Sequence, residues 1–269
     1  MVNTSDEFHK IAMGVSYFGP AFHGFQSQSS GRAVADYLAN AVSQITALKT
    51  RIICAGRTDA KVHATEQVIH VELPKKIDID AWTYGLNRIL PRTVKVLWAV
   101  PVDHNFHARF AASARTYRYL IYQQKFFPVH LSELAYHSYR PLDIDRINHA
   151  ASRLLGEHDF TGFQASGCQA PHAVRELKTL KWQQSGEWVV VTVTANAFLY
   201  RMVRNLVGSL LRVGYHEREI DFPYQRLIAK TRPEHPDLAP PHALYLDQIH
   251  YPGYNIPRVN PWYENLLEK

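Results

Sequence analysis

The hydrophobic period changes from two to about 3.6 within the first fifty residues, and this switch does most to limit the fold. In HKIAMGVSYF the side chains Ile11, Met13, Val15 and Tyr17 fall on one face of a strand. In AVADYLANAVSQITAL, Val34, Leu38, Val42, Ile45 and Leu48 form one helical stripe. Strands are then expected at Arg51–Ala55 and Gln67–Leu73, a helix at Asp80–Arg88 and a strand at Val94–Val102. A second series begins with RTYRYLIY, where Tyr117, Tyr119 and Ile121 face away from Arg118, Leu120 and Tyr122. It continues with a helix at Ile144–Leu155, strands at Leu177–Gln183 and Trp188–Thr194, a helix at Leu199–Val213 and a strand at Ala243–His250. Strands and helices recurring in two halves predict an α+β fold. The expected form is two similar lobes, residues 1–105 and 106–269, sharing a mostly antiparallel sheet flanked by helices, with a cleft between them. The tail PGYNIPRVNPWYENLLEK carries three prolines and is expected to run over the surface.

Charge narrows the partners. Lys and Arg number 30 against 24 acids, a net charge of +6 that favours a polyanion through counterion release. Fifteen histidines and fifteen tyrosines supply flat faces that either stack on unpaired bases or pack in the core. No run reaches the roughly 18 apolar residues of a membrane helix. MVNTSDEFHK lacks the basic and apolar segments of a signal peptide. Cys54 and Cys168 are the two cysteines, with no CxxC pair. A cytoplasmic protein with reduced thiols, no membrane association and no disulfide framework is expected.

Three stretches could carry chemistry. ICAGRTDAKVHATEQVIHVEL ends a strand in a Gly-Arg-Thr-Asp turn and starts another. An aspartate in such a place commonly serves as a turn or cap acceptor. Against that, Arg57 lies two positions from Asp59, and Gly56 permits close approach of another backbone. An ionised Asp59 held by arginine would act as base or nucleophile. No second carboxylate stands near it to form a glycosidase pair. In NFHARFAASARTYRYLIY, Arg109, Arg115 and Arg118 alternate with Phe106, His107, Phe110, Tyr117 and Tyr119. That mixture suits a phosphate-gripping, base-stacking surface, or else a basic strand with an apolar back. In NAFLYRMVRNLVGSLLRVG an apolar stripe accompanies Arg201 and Arg204 near a helix start, where cations oppose the helix dipole and call for an anion. There is no Gly-rich nucleotide loop, GxSxG or HExxH, and Cys54, His63 and His70 lack zinc-site spacing, so no metal is expected.

CAGRTDAKVHA, FHARFAASARTYRY and NAFLYRMVRNLVGSL together resemble the bacterial tRNA pseudouridine synthase A family, whose patterns are GRTDAGVHA, FxARxxAxxRxYRY and xxFLxxMVRxxVGxL. Shorter matches at YFGPAFHGFQ, LLGEHDFTGF and HALYLDQIHYP fall in family order over nearly the whole chain. The resemblance implies the pseudouridine synthase fold and a cofactor-free isomerase. Its substrate would be uridine at positions 38 to 40 of the tRNA anticodon stem-loop. It implies Asp59 as the essential catalytic carboxylate and Tyr117 packing on the target base, where it could help deprotonate C5. Arg204 would pair with the aspartate and Arg57 would assist base flipping. Phe106, His107, Arg109 and Lys125 are the implied RNA contacts, and a homodimer binding tRNA across both subunits is the implied assembly. A non-catalytic tRNA-binding protein on the same scaffold is the alternative, and a lone-aspartate hydrolase releasing free uracil a further one.

The chain departs from the family pattern at Lys61 for Gly, Phe25 for Trp, Ala35 for Gln, Pro171-His172 for a polar pair, and Ala243 for Gly. Lys61 is expected on ordinary backbone, adding a cation for RNA phosphates.

Overall fold

The computed structural model describes residues 9–28, 31–234 and 236–267. They fold as two compact units. The first comprises the described residues up to Ser113 together with Leu246–Asn260, and the second Ala114–Tyr245 with the residues from Pro261 onward. The change of unit at Ser113 lies eight residues beyond the expected 105/106 boundary. The reason is Phe106, which is buried among His70, Tyr251 and Tyr254 and so ties its loop to the first unit.

In the first unit, β1 (His9–Tyr17) is followed by α1 (Val34–Thr46), β2 (Ile53–Cys54), β3 (His63–Leu73), α2 (Leu86–Ile89) and β4 (Val94–Val102). β1 pairs antiparallel with β3 on one side and β4 on the other, and β2 adds to β3. α1 starts where the Asp36 carboxylate accepts the Ala33 N–H at 3.0 Å, and it ends at Ala47 in the left-handed conformation. Val34, Leu38 and Val42 of the stripe read from the sequence form its buried side with Ala41, while Ile45 is half-buried and Leu48 lies past the helix end. The helix expected at Asp80–Arg88 opens instead with a wide turn at Ala81–Gly85 before α2. β3 begins four residues earlier than its period implies. It is buried on both faces, which removes the alternation that marks a half-exposed strand.

The second unit holds β5 (Ala114–Gln123), β6 (Tyr136–Ser138), α3 (Ile144–Ser152), β7 (Gly156–Asp159), β8 (Val174–Ser185), β9 (Trp188–Ala195), α4 (Met202–Gly214) and α5 (Phe222–Ala229). β5, β9, β8 and β7 run antiparallel in that order, and β6 pairs parallel with β5. α3 is fastened to β8 by one amide. Asn148 Nδ2 donates to Trp182 O and its Oδ1 accepts from Trp182 N, both at 2.9 Å. The helix expected from Leu199 starts at Met202, because Arg201 takes the left-handed conformation (φ 59°).

The last strand, β10 (Leu244–His250), lies beside β3, where Thr65 Oγ1 donates to Leu246 O at 3.2 Å. The tail does not merely run over the surface as expected. Val259 N–H donates to the buried carboxylate of Glu66 at 2.9 Å, and Glu66 also accepts from Trp98 Nε1 at 3.0 Å. Burial is the main cause that raises the Glu66 pKa above the ordinary carboxylate value, with these two donors opposing it. Further on, Tyr263 is buried with Leu120, Ala135, Val190 and Tyr245 in the core of the second unit. Among the described residues no helix is long and apolar enough to cross a membrane. Cys54 and Cys168 are free thiols.

Candidate active site and RNA-contacting loops

One strand organises the loops of the first unit. β3 carries four buried polar side chains; Glu66 holds the tail at Val259, and His63, Gln67 and His70 each grip a different connection. His63 Nδ1 accepts the Gly19 N–H at 3.3 Å. Gln67 forms a two-way amide bridge to Gly56, donating to its carbonyl at 2.5 Å and accepting its N–H at 3.3 Å. His70 Nδ1 accepts the Ala108 N–H at 3.1 Å. A buried polar group without such a partner would cost about 1–3 kcal/mol, so these residues fix loops rather than merely fill space.

The Asp59 turn is held from both ends. Gln67 fixes Gly56 at its start, and Val62 N–H returns to Asp59 O at 3.2 Å at its close. Tyr17 Oη and Thr58 Oγ1 are 2.7 Å apart, and Phe25 N–H donates to Thr58 O. Two glycines of YFGPAFHGFQ make room for this. A Cβ on Gly19 would stand 2.4 Å from the Val62 carbonyl, and one on Gly24 2.8 Å from Thr58 O. Asp59 is half-buried at the tip and Arg57 is exposed beside it.

Lys61 is not on ordinary backbone. Its φ of 67° lies in the left-handed region, which is the physical reason for a glycine in the family pattern. A non-glycine residue there bears about 1–2 kcal/mol of strain. Lys61→Gly should therefore raise stability by roughly 0.5–1 kcal/mol, the strain relieved less the backbone entropy that glycine loses on folding. Denaturant unfolding reads this directly. A less stable glycine variant would mean that the lysine side chain contributes more than the strain it carries.

The loop Asp103–Phe110 comes to the same region. Burial pushes the Cys54 thiol up to about 11, while the nearby cations Arg57 and then Arg109 act to lower it. One thiol thus senses the arginines of both motifs. Within the loop the expected RNA contacts divide. Phe106 is fully buried and anchors the loop against His70, Tyr251 and Tyr254. His107 is half-buried, with Nδ1 accepting from the N–H groups of Arg109 and Phe110, both at 3.1 Å. Arg109 is exposed, with its Cζ 5.7 Å from the centre of the Phe110 ring. Phe110, 76% exposed and stacked on His107 at 4.3 Å, is the outward aromatic. The aromatic next to Arg109 could have singled it out.

Tyr117, Arg204 and Lys125 belong to the second unit. Tyr117 is buried on β5, edge-on to Phe198 at 5.2 Å. Lys125 is exposed just past β5, 5.5 Å from the ring centre of the exposed Phe126. Arg204, in the first turn of α4, is buried and donates from Nε to Ala239 O at 2.8 Å, while Ala239 N–H donates to Arg204 O at 3.0 Å. That reciprocal pair needs the segment Asp237–Ala239 to lie directly on the helix, and Gly208 makes this possible. A Cβ there would stand 1.7 Å from Asp237 O. Next to it, Asn205 Nδ2 donates to Phe163 O and Oδ1 accepts from Arg226 Nη2, so the start of α4 is fixed on two sides.

A family model described as tRNA pseudouridine synthase matches residues 13–111 and 150–252. The chain belongs to that family. It is 41% identical over 251 residues to the tRNA pseudouridine synthase A of Pseudoalteromonas atlantica, covering 93% of this chain and 95% of the relative. It is 42% identical to the enzyme of the same name from Escherichia coli O1:K1, covering 93% of each. The synthase is accordingly an isomerase that converts uridine to pseudouridine in tRNA. The matched segments contain the Asp59 turn, the loop Asp103–Phe110 and the start of α4, while Tyr117 and Lys125 lie between the two segments.

Proposed function

We propose that this synthase acts on the anticodon stem-loop of tRNA, at positions 38 to 40. In this reading Asp59 supplies the reacting carboxylate, as nucleophile or base, and Tyr117 packs on the target uracil. Arg57 assists flipping, and Arg204 provides the counter-charge for the carboxylate. Arg109, His107 and Lys125 grip the surrounding RNA. The observation that carries the reading is the intact Asp59 turn, held by Gln67 and cleared by Gly19 and Gly24, in a chain that matches the family over most of its length.

The chemistry suits one carboxylate. The target base must first leave the stack, at a cost of a few kcal/mol that contacts to the RNA offset. The bond from the ribose carbon to uracil N1 then breaks, the uracil turns, and C5 bonds to the same carbon. The C5 proton leaves and N1 gains one, so substrate and product are isomers and no electrons are gained or lost. Incubation with an unmodified tRNA transcript, followed by chemical mapping, tests the positions. Pseudouridine confined to 38–40 supports them, and modification only elsewhere overturns them.

The arginines give a second test. Binding of tRNA should weaken steeply with salt, and Arg109→Ala should lower the slope of log affinity against log salt by about one. An unchanged slope would remove Arg109 from the phosphate contacts. A cytoplasmic homodimer is proposed on the same resemblance, and sedimentation with and without tRNA tests the assembly.

A further inference from the structure

We propose that His70 is a positioning residue for RNA binding, holding the backbone of Ala108 from below so that Arg109 and Phe110 are presented outward to the substrate. The proposal rests on the reading that this loop contacts RNA. Ala108 has both of its backbone polar groups taken by side chains. Its N–H goes to His70 Nδ1 at 3.1 Å, and its carbonyl accepts from Tyr251 Oη at 2.6 Å. The preceding turn is pinned by Lys10, whose Nζ donates to His104 O at 2.6 Å and Phe106 O at 2.8 Å and pairs with Glu72 at 2.8 Å. The His70 ring also lies 4.9 Å from the ring of His107, which in turn stacks under Phe110. The exposed platform therefore stands on a buried histidine.

The acceptor role fixes the tautomer. Nδ1 must offer a lone pair, which puts the proton on Nε2, a buried atom without a hydrogen-bond partner. Glu72 Oε1 is 3.7 Å from it, too far to accept. The charged groups facing the ring are Lys10 of β1, Glu72 of β3 and His107 of the loop, while β2 sets Ile53 opposite it. Burial first, then the cationic forms of His107 and Lys10, push its pKa down to about 4, against the pull of Glu72. The ring stays neutral across the working range, and the acceptor is permanent.

The test is a split between KM and kcat on an unmodified tRNA transcript. His70→Leu removes the acceptor and should raise KM for tRNA about tenfold while leaving kcat at saturating tRNA within about threefold. His70→Asn, whose amide oxygen can replace Nδ1, should recover most of the loss. Tyr251→Phe, which deletes the hold on the Ala108 carbonyl, should raise KM in the same direction and carries the test where the leucine variant does not fold. Combining His70→Leu with Phe110→Ala should cost less than the product of the two separate effects, because both act through one loop. If Phe110→Ala raises KM while neither His70→Leu nor Tyr251→Phe does, the positioning role is overturned and the RNA reading stands. If Phe110→Ala and Arg109→Ala leave KM and the salt slope unchanged, the RNA reading fails, and this proposal with it. A leucine variant that lowers kcat with KM unchanged overturns the positioning role as well.

Discussion

Asp59→Asn should reduce pseudouridine formation at least a thousandfold while tRNA affinity stays within a few-fold. The substitution keeps the size and one carbonyl-type acceptor of the side chain but removes the charge, and with it the capacity to act as base or nucleophile. The fold should tolerate it. The backbone contact that closes the turn comes from the Asp59 carbonyl, which accepts the Val62 N–H, and the side chain is only half-buried. A loss confined to turnover is the signature of an interaction made in the transition state rather than in binding. Single-turnover assays on saturating tRNA, with chemical mapping and a check for released uracil, separate the possibilities. Residual turnover above about one part in a thousand would deny Asp59 an essential covalent or basic role. Free uracil from the parent enzyme would point to hydrolysis instead.

The regular elements were legible wherever they were long and half-exposed. β4 begins and ends where the period predicts, and β1, β5, β9 and α1 lie within a residue or two of their expected limits. β6 and β7, of three and four residues, are too short to show a period. α5 was missed although Pro223 in its first turn is a start signal. Burial on the far side of a loop is not encoded in local sequence. Phe106 and Phe110 flank the same His-Ala-Arg, yet one is fully buried and the other 76% exposed. Proline content likewise marked the tail as surface, because nothing local signals that Tyr263 enters a core built by β5 and β9. At the candidate site the motif residues were legible and their supports were not. Gln67 and His70 read as polar positions in an ordinary strand and His63 fell before its expected start, and their partners Gly56, Ala108 and Gly19 are fixed by tertiary structure. A strand buried on both faces that still buries four polar side chains is the sign that other segments are attached to it.

Gly208→Ala should be the most damaging single-methyl change in the second unit, costing about 3 kcal/mol of stability and lowering turnover with it. Alanine is the better helix former by about 1 kcal/mol, so propensity alone predicts the opposite sign. Packing decides the matter. The new Cβ would stand 1.7 Å from the carbonyl oxygen of Asp237 and 3.0 Å from the N–H nitrogen of Ala239, both backbone atoms that no rotamer change can move. Either α4 or the segment Asp237–Ala239 must shift, and overpacking of this kind costs about 1–3 kcal/mol and occasionally more. α4 is the less free to move, since Asn205 is fully buried and bonded to both Phe163 and Arg226. The segment therefore lifts, and it takes with it Ala239, which accepts from Arg204 Nε and donates to Arg204 O. Arg204 then remains a buried cation without its carbonyl anchor, free to leave the orientation that its proposed role as counter-charge requires. Denaturant unfolding gives the stability loss, and turnover at a temperature where the variant is fully folded gives the catalytic one. A variant as stable and as active as the parent would show that the segment can move off the helix at no cost, and that its hold on Arg204 has no part in the reaction.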